Sequence, residues 1–302
     1  MAAAIIFAVL SALSSAVTAV LQRRAAVDHQ ATAAGSAWHR AISLVRQPVW
    51  LLGGAAMVGT FVFQALALYF GPLSVVQPIL VLELIFTLGL RAFLFHDGIT
   101  SRTWYAGLTI CVGLAAFLIV ANPSADTRTP DTGQWLLGVG LRAVVVLVLL
   151  VLARYGSPGR RAALFGAATA IVWAVDAAFV KVTVDLLGHS GIVGVLTHWP
   201  LYAMIATGIL GTVLLQGAYA AGPLAASQST LLIVDPLASI LIGIELFGES
   251  LSTGPGYIAG IIVSFAVLAV GVVMLSIWAP PVMTATAPSD SPPQEASSPI
   301  AS

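Results

Sequence analysis

Nine runs of mostly apolar residues, each long enough to cross a bilayer, take up most of the chain, at 1–21, 49–70, 72–95, 103–121, 135–153, 162–187, 200–220, 223–247 and 255–278. A bilayer core takes about 20 such residues per helix. A membrane β-barrel would need shorter strands of alternating polarity, and no such alternation is visible. Gly and Pro inside several runs are normal for membrane helices, whose neighbours satisfy freed backbone groups. The expected fold class is therefore all-α, a polytopic membrane protein of about nine transmembrane helices.

The rest of the composition agrees. Only 8% of residues are charged, against roughly 25% in globular chains, so a water-solvated surface of ordinary charge density cannot be built. The balance of 12 Lys+Arg against 12 Asp+Glu excludes a strongly basic nucleic-acid binder. One cysteine, Cys111, excludes an intramolecular disulfide and any cysteine-rich metal site. The first run has a tolerable cleavage motif at Val17-Thr18-Ala19, but Arg23 and Arg24 follow the run rather than precede it. It therefore reads as a retained helix rather than a signal peptide.

Cations set the expected orientation. Connections after the first, third and fifth helices hold Arg23, Arg24, Arg40, Arg46, Arg91, Arg102, Arg154, Arg160 and Arg161. The opposite side holds Arg128, with Lys181 close to it, and Arg142 lies within the fifth helix. The positive-inside rule then places the chain in the cytoplasmic membrane with its N-terminus outside and its C-terminus in the cytoplasm. Trp38, Ile42 and Val45 share a face in the loop 22–48, which suits an interfacial helix. The tail from Ala279 is rich in Pro, Ser, Thr and Ala without apolar periodicity and reads as disordered.

The chain also resembles itself. Gly71-Pro72-Leu73 through Gln77 aligns with Gly222-Pro223-Leu224 through Gln228, each preceded by a glutamine-led run from Gln64 or Gln216. One residue of slip later Glu83 falls opposite Asp235, and Phe7–Arg23 resembles Phe165–Lys181. The first four helices thus map onto the last four, and the single helix between them reverses the second copy in the membrane. The expected organisation is a first repeat at 1–121, a linker helix within 122–161, a second repeat at 162–278 and the tail 279–302. Inverted repeats of this kind are a plan of secondary transporters, which bind solute near the midplane between the copies.

The run Pro48-Val-Trp50-Leu-Leu-Gly53, followed by Gln64 to Gly71-Pro72-Leu73 and on to Gln77-Pro78, resembles the drug/metabolite transporter superfamily. In helix number, and in the cation closing the first helix of each half, the layout is similar to its NIPA-type magnesium-transporter branch. The resemblance implies a permease working by alternating access. It implies a small metabolite or amphipathic drug as solute from the wider superfamily, and a divalent cation such as magnesium from the branch. Ser11, Ser14, Ser15 and Thr18 occupy the first helix, where small multidrug-resistance relatives carry a glutamate.

Ionisable groups at membrane depth cost about 2.5–3.5 kcal/mol each on insertion scales, so they are candidate functional residues. Glu83, Asp176, Asp235 and Glu245 qualify. Glu83 and Asp235 occupy equivalent positions, and in an inverted arrangement would approach one cavity from opposite sides as a cation or proton pair; the bland alternative is a protonated or hydrogen-bonded packing role. Gln228, seven residues before Asp235, shares its helix face; its counterpart Gln77 is six residues before Glu83 and aligns less well, so the second half is expected to supply the better-formed site. Trp173 shares a face with Asp176 and serves either as cavity wall or as packing. Pro78 and Pro236 free carbonyls that either ligate an ion or merely accompany kinks.

Lys181 and Asp185 are four apart and expected to pair. Glu245 and Glu249 read as solvated helix-end acids or as a cation-attracting entrance. His189, His198 and Asp185 form at best a loose external metal patch. The expected substrate-binding set is Glu83, Asp235, Gln77, Gln228, Asp176 and Trp173. No catalytic residue, enzymatic activity or cofactor is expected. The partners are the lipid bilayer and a small-molecule or cation solute; nucleic acid is excluded, and a homodimer is compatible with this plan. The rival class is a non-transporting scaffold or a lipid-carrier-handling protein.

Overall fold

The structure, a computed structural model, describes residues 1–30, 48–95, 100–124 and 130–278. The expected interfacial helix around Trp38 and the tail 279–302 lie outside these residues. The helices are α1 (Ala2–Gln30), α2 (Pro48–Phe70), α3 (Leu73–Leu80), α4 (Glu83–Phe95), α5 (Ser101–Ala121), α6 (Thr132–Leu152), α7 (Pro158–Thr197), α8 (Trp199–Ala221), α9 (Leu224–Phe247) and α10 (Pro255–Trp278). Among the described residues nine stretches are long and apolar enough to cross a membrane. The protein is all-α and polytopic.

Two spans differ from expectation. The third, Leu73–Leu94, is two helices. Pro78 has no N–H to offer Ser74, and past it Val81 and Leu82 donate to Pro78 O and Ile79 O in tight turns before α4 begins. Pro236 in α9 causes no such break. The sixth span runs to Thr197, longer than the apolar run, and holds one non-helical residue, Gly191, whose φ of 63° suits glycine.

Side chains cap the starts of α6 and α7. Asp131 and Gln134 form a reciprocal capping box at α6, with Gln134 N donating to Asp131 Oδ1 at 2.8 Å. At α7 the Ser157 hydroxyl accepts from Arg160 N, with Pro158 at the first turn.

The packing pattern repeats. α1 lies against α2 and against both pieces of the third span; α7 lies against α8 and α9. α5 pairs with α10, α6 rests on α7, and α3 meets α9 across the middle. The two Gly-Pro-Leu segments sit at opposite ends of the bundle. Gly222 lies so close to the Pro158 carbonyl, at the start of α7, that a Cβ would collide with it. Gly71 O accepts from Lys181 Nζ at 3.0 Å, and Lys181 lies on α7 roughly 35 Å from Pro158 at 1.5 Å per residue. At the Gly71 end Trp135, Phe179, Trp199 and Phe247 form an aromatic cluster, with Trp135 stacked on Phe179 at 5.0 Å between centroids. There too Ser124 and Ser250 exchange backbone hydrogen bonds of 3.0 and 3.2 Å, tying the α5 and α9 exits together.

Candidate functional site

The polar side chains of the interior fall into two groups. In the first, Glu83 opens α4, whose first-turn N–H groups at 84, 85 and 86 are already bonded to the carbonyls of Val81 and Leu82. The Ser15 hydroxyl of α1 faces its carboxyl. Tyr219, near the end of α8, lies within electrostatic reach of Glu83. Its hydroxyl accepts from Gln228 Nε2 at 2.6 Å. Glu83, Tyr219 and Gln228 thus join α4, α8 and α9.

In the second group Asp176 of α7 accepts from Thr207 Oγ1 of α8 at 2.7 Å. Its carboxyl lies within electrostatic reach of Asp235 on α9. Asp235 Oδ1 is buried without a hydrogen-bond partner among the described residues, as are Gln77 Nε2, Ser74 Oγ, Ser239 Oγ and Thr183 Oγ1. Buried polar atoms are nearly always paired, so five unpartnered ones in one interior mark places that water, an ion or a solute completes. Asp176 is thus the acid within electrostatic reach of Asp235, while Ser15 and Tyr219 are neighbours of Glu83. Trp173 packs its indole on Gly211 of α8, which makes it a piece of the α7–α8 contact. Beside it, a groove of about 270 Å³ between α6, α7 and α8 is lined by Arg142, Val146, Val172, Thr207 and Leu214. Thr207, which holds Asp176, lines this groove.

Several end-of-helix expectations are extended or corrected. Lys181 spends its ammonium on backbone carbonyls, donating to Leu68 O at 2.9 Å and Gly71 O at 3.0 Å. It caps the C-terminal end of α2, while Asp185 stays within electrostatic reach. Glu249 is not a solvated end: it is 3% exposed. Its carboxylate accepts from Leu73 N at 2.6 Å and Ser74 N at 2.9 Å, capping α3. Glu245 pairs with Arg142 at 2.7 Å, and the same guanidinium donates to Gly138 O at 3.0 Å. His189 and His198 bond to carbonyls four residues back, Asp185 O and Gly194 O. Among the described residues no group of three His, Cys, Asp or Glu side chains is placed to hold a metal ion.

Sequence reasoning missed the capping roles of Lys181 and Glu249. The signal available was the Gly-Pro-Leu break itself, which leaves carbonyls at its start and N–H groups at its end needing partners.

No family model matches the chain, and no solved structure matches it. An uncharacterized protein of Corynebacterium glutamicum is 31% identical over 250 residues, covering 82% of this chain and 85% of the other. The chain belongs to the same family as this corynebacterial protein.

Proposed function

We propose that the protein is a secondary transporter of the drug/metabolite type, moving a small solute across the cytoplasmic membrane by alternating access between two inverted four-helix repeats. The observation that carries this reading is the set of deep acids and unpartnered polar atoms on α3, α7 and α9. A scaffold would gain nothing from burying Asp235 beside Asp176, because like charges and desolvation both oppose it. The placement of the two Gly-Pro-Leu segments at opposite ends supports the inversion. Glu83, Asp235, Gln77, Gln228 and Asp176 are the proposed solute-facing residues, with Trp173 supporting Asp176.

A second reading, transport of a divalent cation such as magnesium, is favoured by the Asp176–Asp235 pair. Two neighbouring carboxylates are hard oxygen ligands, and a cation between them removes their repulsion.

Uptake in proteoliposomes against a panel of metabolites, amphipathic drugs and divalent cations tests both readings. Glu83→Gln and Asp235→Asn keep size and delete charge. At matched abundance each is expected to lower transport by at least about tenfold, a barrier change of about 1.4 kcal/mol. Near wild-type rates in both variants, across pH and magnesium concentration, would refute the assignment of these acids. If the wild type moves magnesium but none of the metabolites or drugs, and Asp235→Asn abolishes that flux, the cation reading is the correct one.

The proposed orientation has its own check. Tags near Ser124 and His189 are expected to be reachable from outside, and a reporter after Ser302 to behave as cytoplasmic. Cytoplasmic accessibility at both tags would overturn it.

A further inference from the structure

The two Gly-Pro-Leu segments are alike in sequence and unlike in surroundings. Every residue from Gly71 to Ile79 is buried. In the counterpart stretch from Gly222 to Thr230 only Ser227 is buried. Gln77 is 2% exposed with an unpartnered amide nitrogen, whereas its counterpart Gln228 is half-buried and bonded to Tyr219. One end of the bundle is therefore shut and the other is open.

What shuts it is local. The break between α2 and α3 belongs to the first half, but its free backbone groups are satisfied from the second. Lys181 takes the carbonyls of Leu68 and Gly71, and Glu249 takes the N–H groups of Leu73 and Ser74. These four hydrogen bonds all cross between halves at one level. They stand at the end of the bundle, where separation would exchange them for water rather than for lipid.

Below them lies a row of polar atoms. Glu249 packs against Gly243, which sets α9 level with the start of α3. From there Ser239 is about 6 Å further in on α9 and Asp235 about 12 Å, while Gln77 is about 4.5 Å in from Ser74 on α3. Asp235 thus comes level with the Val81–Leu82 break. Ser74 Oγ, Gln77 Nε2, Ser239 Oγ and Asp235 Oδ1 are the unpartnered buried atoms of these two packed helices.

We propose that the Gly71 end is a gate latched by Lys181 and Glu249, and that the polar row Ser74–Gln77–Ser239–Asp235 beneath it is the closed half of the solute path. What the path carries rests on the transport reading; the gate itself does not. Polar atoms left bare in this state become solvated when the latch parts, which explains why the interface between α3 and α9 keeps them.

Thiol labelling tests the gate without any transport measurement. In a Cys111→Ser background the reporters are Ser74→Cys, Gln228→Cys and Leu268→Cys, the last a fully buried position on α10. The purified protein in lipid nanodiscs is exposed to a water-soluble maleimide from both faces, so orientation does not enter. With the latch intact Gln228→Cys is expected to label fast, and Ser74→Cys and Leu268→Cys slowly. Glu249→Gln and Lys181→Met each remove one half of the latch. Either is expected to raise Ser74→Cys labelling by about tenfold or more, as a shift of a closed–open equilibrium, while Leu268→Cys stays protected.

Unchanged Ser74→Cys labelling in both variants overturns the gate. So does a parallel rise at Leu268→Cys, or failure of both variants to yield folded protein, since each would make the caps plain structural supports. A working gate in a protein that moves no solute would fault the transport reading alone.

Discussion

Gly113→Val is expected to leave almost no folded protein in the membrane. α5 and α10 pack closely along much of their length, and the contact is built on glycine from both sides. A Cβ at Gly113 would run into the backbone nitrogen of Leu268, and one at Gly271 would come within 2.8 Å of Ile110 N. Inserting methylenes into a packed core costs about 1–3 kcal/mol when side chains can move aside. Here the obstacle is helix backbone, so the helices must separate and the cost lies at the top of that range or above. Gly256→Val is the control, because a Cβ there meets nothing within 4 Å. Size-exclusion profiles and thermal unfolding in detergent would compare the two. A Gly113→Val protein with wild-type profile and melting temperature would contradict the packing described for α5 and α10.

The second large effect concerns Arg142 and Glu245, which pair within the membrane-spanning helices α6 and α9. Glu245→Leu removes one charge and leaves the guanidinium with Gly138 O as its remaining acceptor in the interactions described. An uncompensated arginine in a helix centre costs about 3 kcal/mol on insertion scales, so the variant is expected to be strongly destabilised. Arg142→Leu alone is expected to cost less, because Glu245 is 47% exposed and near the helix end. The double variant Arg142→Leu/Glu245→Leu is expected to recover most of the loss, since replacing both partners by apolar groups removes the desolvation penalty as well as the attraction. Thermal unfolding of the four proteins gives the coupling directly. Additive losses in the double variant would show that the pair contributes no interaction of its own.

The membrane bundle was legible because a helix that crosses a bilayer must announce itself by about twenty apolar residues. The linker helix and the Gly-Pro-Leu match were legible for the same reason, as chain lengths and local motifs. The break after Pro78 was not, because Pro236 has the same local chemistry and α9 runs through it unbroken. Glu249 was misread because an acid just beyond a helix end is usually solvated. The partners that bury it are backbone N–H groups of Leu73 and Ser74, which have no side-chain signature. The carbonyl contacts of Lys181 were missed for a related reason: Asp185, four residues on and within electrostatic reach, is a visible partner, whereas the carbonyls of Leu68 and Gly71 are not. The deep acids were identified, but their neighbours, Ser15 and Tyr219 for Glu83 and Asp176 for Asp235, depend on how the helices rotate against one another.

The caps at the Gly71 break also bear on how the chain is made. Leu73 and Ser74 are separated by 176 and 175 residues from the carboxylate that completes them. At about 5–20 residues per second a ribosome needs roughly 9 to 35 s to cover that distance. The third and fourth spans are synthesised early in that interval, with the carbonyls at 68 and 71 and the amides at 73 and 74 still uncapped. Lys181 arrives first and closes the carbonyl side; the amide side waits until α9 is complete. The first half is therefore an unfinished object until nearly the whole bundle has left the ribosome, and its last hydrogen bonds form only when Glu249 reaches the far side of a helix inserted long before.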